Sequence, residues 1–179
     1  MSAELPSIEE VRIRALGVDD IADVAAIHVA AFAESEPEAL SRAIASLQEE
    51  LGRAWAHVRV ALRGGACLGA SVVWVVADEL HVLDVATHPA HRREGVGRAL
   101  VRDILAVAKE RRARHLYLEV RRSNVAAITL YRSAGFAAVG VRRRYYSDDE
   151  DAIEMSLEIE PETGDVVGRA DEVEITPRS

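Results

Sequence analysis

The sequence predicts an α/β domain built on a mixed sheet, and three observations carry that reading. Seven runs of strand length, apolar or alternating, lie at residues 11–15, 55–62, 67–77, 81–86, 115–120, 136–141 and 152–159. Four stretches with helical spacing are interleaved with them, at residues 20–32, 37–51, 95–112 and 125–134. One stretch, residues 81–105, then runs from a strand through a glycine-containing turn straight into a helix.

Composition sets the outer bounds. A chain of 179 residues is long enough for one domain with a real core and short for two. Hydrophobic residues at 49% and charged residues at 29% are globular values. A net charge of -8 argues against a general nucleic-acid binder, and direct nucleic-acid contact is not expected. The lone cysteine, Cys67, excludes an internal disulfide and a cysteine-based zinc site, and reads as a small buried hydrophobe. The polar, acidic start carries no signal-peptide pattern, and no apolar run approaches the ~18 residues of a membrane span. A soluble, cytoplasmic protein is the expectation.

The elements follow in order. Residues 11–15 alternate as a first strand, which Gly17 ends. Asp19 or Asp20 can cap a helix carrying Ile21, Val24, Ile27 and Phe32. Pro37 is placed to open a second helix, striped by Leu40, Ile44, Leu47 and Leu51 and stopped at Gly52. Arg63-Gly64-Gly65 is a hairpin turn between two strands, and Asp78-Glu79 turns the chain into the next. In residues 115–120, Leu116, Leu118 and Val120 face one way, Tyr117 and Glu119 the other. Ser123 or Asn124 is placed to cap the following helix, and Gly135 to stop it. Ser147 to Asp151 read as a solvated acidic turn. Residues 161–179 are polar, acidic and without periodicity, and read as a disordered tail after a domain of residues 1–160.

The turn after the fourth strand is the strongest local signal. Pro89 stops the strand, and Arg92-Arg93-Glu94-Gly95-Val96-Gly97 opens the helix. The first amides of a helix have no internal partner and lie at its positive dipole end, so they suit a phosphate. Gly95 and Gly97 would let a ligand approach the backbone closely. A dinucleotide fingerprint would need glycine where Leu100 stands, and a P-loop would need Gly-Lys-Ser/Thr, whereas the single lysine, Lys109, lies inside the helix. His88 and His91 lack a convincing third ligand, so no metal is expected.

What remains, R-x-x-G-x-G after a strand, resembles the pyrophosphate loop of the GNAT acetyltransferase superfamily. Downstream, Leu118-Glu119-Val120-Arg121-Arg122-Ser123-Asn124 and Ala127-Ile128-Thr129-Leu130-Tyr131, ending at Gly135-Phe136, are similar to the matching segment of RimI-type acetyltransferases. Arg143-Arg144-Tyr145-Tyr146 followed by residues 151–155 resembles the end of the same family. The resemblance spans about residues 80–159. It implies the GNAT fold, a central mixed, largely antiparallel sheet of about seven strands flanked by about four helices.

The resemblance also implies acetyl-CoA as acetyl donor and, as acceptor, a protein N-terminal amine, that of a ribosomal protein's alanine. By it, Glu119 is the base that deprotonates the amine, directly or through water, and Tyr131 the acid that protonates the departing sulfur. Val85, Ala86 and Thr87 would bond the pantetheine arm through the backbone, like an added strand. Arg93, Glu94, Gly95, Val96, Gly97 and Arg98 would hold the pyrophosphate, and Asn124 would contact the cofactor near its reactive end. The residues alone leave alternatives: Glu119 as a strand carboxylate bonded to an arginine, Tyr131 as a core aromatic, Asn124 as a plain helix cap. An α-amine with a pKa near 7.8 is roughly a quarter to a third neutral at pH 7.4, against roughly a thousandth for lysine, so an N-terminus asks little of its base. A lysine or small-amine acceptor, and a non-catalytic acetyl-CoA-binding module, are the alternatives. The first 80 residues match the family only in layout.

Overall fold

The computed structural model describes residues 10–32 and 36–175. Its strands are β1 (Arg12–Ala15), β2 (Ala56–Arg63), β3 (Ala66–Val76), β4 (Glu79–Thr87), β5 (His115–Arg121), β6 (Ala137–Arg142), β7 (Ala152–Ile159) and β8 (Val166–Val167). The helices are α1 (Ile21–Ala31), α2 (Ala39–Leu51), α3 (Val96–Glu110) and α4 (Val125–Ser133). The sheet runs β1-β2-β3-β4-β5-β7-β6, with β8 paired to β7. Every pairing is antiparallel except β4 with β5, which is parallel.

Alternation along the strands builds a core on each face. Val58 and Val60 of β2 pack with Val24, Ala43 and Leu47 of α1 and α2. Ala61, the next residue, joins Val96 and Leu100 of α3 on the other side. The larger core lies on that second face, where Ile104 of α3 and Ile128 and Tyr131 of α4 meet Leu116, Leu118 and Val120. A two-pronged ion pair, Arg59 Nε and Nη2 to the Asp103 carboxylate at 2.8 Å each, ties α3 to β2.

Three sequence readings are corrected. The second helix begins at Ala39, Pro37 lying in the turn before it. The acidic turn is a clasp: Asp148 and Glu150 accept from Arg121 Nη1 at 2.9 and 2.8 Å, Glu150 also accepts from Ser123 N–H at 2.8 Å, and Asp151 is buried. The segment read as a disordered tail adds β8 as an eighth strand, seats Val173 and Ile175 against the core, and has Asp171 accepting from Ala138 N–H at 2.8 Å. It adds on mostly through backbone bonds and scattered side chains, which leave no periodic signature.

Two features of the sheet set up the site. The β3–β4 register jumps between Val72↔Asp84 and Val73↔Val82, so Leu83 is the extra residue of a bulge. A bulge bends its strand and turns the following side chains to the other face. The parallel pairing of β4 with β5 covers only Glu79–Val82 against His115–Leu118, and it ends one residue before that bulge. Beyond it, β4 stays with β3 and β5 stays with β7, and the two parallel strands part.

Candidate active site

A cleft of about 710 Å³ occupies the place where β4 and β5 part. Glu119, Asn124 and Tyr131 line it, with Val85 and Asp84 on the β4 side and Phe32 where α1 ends. Leu118 and Val120 point into the core shared with Tyr131, so Glu119 points to the opposite face. The carboxylate and the phenol therefore enter one cleft from two faces of the sheet.

Glu119 sits opposite Glu154 in the β5–β7 register. Both are served by one guanidinium: Arg142 Nη1 is 3.3 Å from Glu119, and Arg142 Nε donates to Glu154 at 2.6 Å. Arg142 is thus engaged in two ion pairs. The arginine partner weighed for Glu119 is present, and the carboxylate nonetheless lines the cleft.

Tyr131 is only 8% exposed, its ring edge-on to Phe136 with centroids 5.8 Å apart. Burial pushes its phenol well above the ordinary tyrosine value, and the charge of Asp84 pushes the same way. It stays protonated at any physiological pH. Tyr146 reaches the cleft from the acidic clasp, with the Arg121 guanidinium 4.0 Å from its ring centre.

Burial raises the Tyr146 phenol to about 12. In the unfolded chain it ionises near 10, so the protonated form contributes stability that is full below pH 10 and lost as pH rises through about 12. Denaturation curves from pH 9 to 12 should therefore fall more steeply for the native sequence than for Tyr146→Phe. Parallel curves would count against a buried phenol.

The remaining candidates concern backbone. Ala86 pairs with Ala70, and His88 N–H donates to Leu68 at 2.8 Å, so these residues turn their amides toward β3. By the antiparallel alternation, Val85 and Thr87 turn theirs toward the gap left by β5. Ala86 does not share that direction, and its side chain is buried. Past β4, Arg93 and Gly95 both take left-handed conformations, with φ of 68° and 84°. Gly95 is the residue before α3, and a Cβ there would meet open space, so its glycine answers to the backbone angle alone. Alternating handedness of this kind can gather successive N–H groups into a concavity suited to an anion. Val96 is buried in the core and can offer only its amide. Gly97 lies against Leu130, while the Arg93 and Arg98 side chains are exposed.

The Glu94 carboxylate would oppose an anion, and it is held by Arg63 at 2.6 Å and His91 at 3.3 Å. Arg92 instead donates to the Ala31 carbonyl at 3.0 Å, closing the end of α1. Asn124 accepts from Ala127 N–H at 3.1 Å as a helix cap, and it also lines the cleft. Among the described residues, no group of three or more His, Cys, Asp and Glu side chains comes together as a metal site, and no helix is long and apolar enough to cross a membrane.

Sequence reasoning gave no site role to Asp84, Tyr146 or Arg142. Asp84 carried a readable signal, a charge interrupting an apolar strand. Tyr146 depends on how the clasp folds back, and Arg142 on the strand order that sets β6 beside β7.

Comparison with known proteins gives a consistent result. Residues 21–136 match the acetyltransferase (GNAT) family. The Escherichia coli ribosomal protein bS18-alanine N-acetyltransferase is 40% identical over 100 residues, covering 54% of this chain and 68% of that protein. The Mycobacterium tuberculosis N-alpha-acetyltransferase RimI is 39% identical over 106 residues, covering 57% of this chain and 65% of that protein. The crystal structure of the E. coli ribosomal-protein-S18-alanine N-acetyltransferase matches with a TM-score of 0.73 at 29% identity, over 91% of this chain and 97% of that one.

Proposed function

The chain belongs to the acetyltransferase (GNAT) family, and from that premise we propose that it acetylates the N-terminal amine of a protein, the alanine of a ribosomal protein. The observation that carries this reading is the meeting of Glu119 and Tyr131 in one cleft, in a chain that is 40% identical over 100 residues to an enzyme named for that reaction and 39% identical over 106 residues to one named as an N-alpha-acetyltransferase.

The residues present fit acetyl-CoA. The backbone groups of Val85 and Thr87 face the gap as an unpaired strand edge would, and can bond an amide-bearing arm laid alongside. The amides from Arg93 to Arg98, at the positive end of α3, would hold a pyrophosphate. Acetyl-CoA supplies a thioester, a carbonyl activated toward attack by an amine.

Glu119 takes a proton from the acceptor amine, directly or through water. Tyr131 is better suited to hydrogen-bond the departing sulfur than to surrender its proton to it. An alkyl thiol has a pKa of about 8.5, and the buried phenol lies well above 10, so full transfer would run uphill. The phenol stabilises charge as it develops on sulfur, which a buried donor does without reorganising. Asn124 offers its amide N–H group beside the same region.

The test is thiol release from acetyl-CoA with matched peptides, one with a free N-terminal alanine and no lysine, one with a blocked N-terminus and one lysine. Turnover of the first alone supports the reading. Turnover of the second alone overturns it in favour of lysine chemistry, and turnover of neither, with acetyl-CoA still bound, turns the search to small amines.

A further inference from the structure

The cleft holds a carboxylate that the reaction as described does not use. Asp84 follows the bulge at Leu83, so its side chain turns to the face that carries Glu119. His28 of α1 reaches it there, with Nε2 3.2 Å from Asp84 Oδ2. The Asp84 side chain is 17% exposed, so its charge is weakly screened and acts strongly on whatever enters the cleft.

The other cleft carboxylates are matched differently. Glu36 is paired with the Arg42 guanidinium, and Glu119 with that of Arg142. The remaining guanidinium on the lining, Arg121, is held by Asp148 and Glu150. Asp84 faces the His28 imidazole, whose charge depends on its protonation. Among the described lining residues, Asp84 is therefore the carboxylate without a guanidinium partner.

We propose that Asp84, oriented by His28, anchors the ammonium of the acceptor in the cleft before Glu119 takes its proton. This rests on the acetyltransferase reading and assigns a binding role within that site. An amine arrives largely charged at neutral pH, and a charge-assisted hydrogen bond to a poorly solvated carboxylate selects that form. Asp84 then keeps an N–H bond to the neutral amine while Glu119 carries the proton away. Asp84 is a specificity residue for the acceptor, and His28 a positioning residue acting through it. The Phe32 ring, 4.7 Å from that of His28, closes the apolar side of the same pocket.

The experiment measures binding to the complex of the enzyme with CoA by calorimetry, using two peptides of one sequence. One carries an N-terminal alanine amine, and in the other that amine is replaced by a hydroxyl. The native protein should bind the amine at least tenfold more tightly. Asp84→Asn, close to isosteric, should bring the two peptides within about twofold, leaving the hydroxyl peptide and acetyl-CoA binding as before. In turnover it should raise the acceptor KM about tenfold with kcat within about threefold. His28→Gln should keep the amine preference and raise acceptor KM severalfold.

An Asp84→Asn protein that still prefers the amine tenfold overturns the proposal. So does a native protein that binds both peptides equally, a result that needs no variant to fold. If the native enzyme acetylates only a lysine or small amine, the N-terminal reading fails. The same amine-to-hydroxyl pair built on that acceptor then decides the role of Asp84 separately.

Discussion

Replacing Glu119 by glutamine is expected to lower kcat by about 10²–10⁴-fold, the usual range for removing a positioned proton acceptor, while acetyl-CoA affinity stays within about twofold. The side chain points away from the core and lines the cleft, so the substitution removes a charge without opening a cavity. Arg142 would keep Glu154 as its partner, and the β5–β7 pairing does not involve the side chain. The loss should shrink as pH rises, because a larger fraction of the acceptor is then neutral without help. That pH trend separates a base from a residue that only shapes the cleft. Unchanged kcat, with saturating acceptor, would remove Glu119 from the chemistry and leave the arginine pair as its whole role.

The fold and half of the site were legible in the chain because periodicity and glycine carry physical information locally. Alternation in residues 115–120 places Glu119 opposite Leu118 and Val120, and that is where it lies. The helical stripe from Val96 to Ala108 is the buried face of α3. The glycine turn appears where Gly95 must take a positive φ. What escaped depends on contacts between distant residues. The Leu83 bulge has no sequence signature, since an apolar strand reads the same with or without an extra residue, yet it turns Asp84 toward the cleft and marks where β4 and β5 separate. Arg142 reads as one charge in a basic run, and only the β5–β7–β6 order brings it between Glu119 and Glu154. Asn124 performs the capping role that the residues alone suggested and also lines the cleft, so the two readings were not exclusive.

Tyr131→Phe is expected to cost about 10²-fold in kcat, the effect of losing one donor aimed at developing charge, with the fold and acetyl-CoA affinity preserved. Phenylalanine keeps the ring, its edge contact with Phe136 and its burial among the α4 and β5 side chains. Removing a buried hydroxyl also removes a desolvation cost, so the melting temperature should hold or rise slightly. The size of the catalytic loss tells what the hydroxyl does. If it supports charge developing on sulfur, the loss should be largest for an alkyl thioester and shrink for an aryl thioester, whose thiol is a better leaving group. If Tyr131 is only a core aromatic, both donors should react at the native rate in the variant. A third outcome, equal loss with both donors, would assign the phenol to binding or orienting the acceptor. The raised pKa adds a further check: since the phenol stays protonated well above pH 10, the high-pH limb of the native rate profile should persist unchanged in Tyr131→Phe. Disappearance of that limb in the variant would mean that Tyr131 itself titrates during turnover and is less shielded than its burial requires.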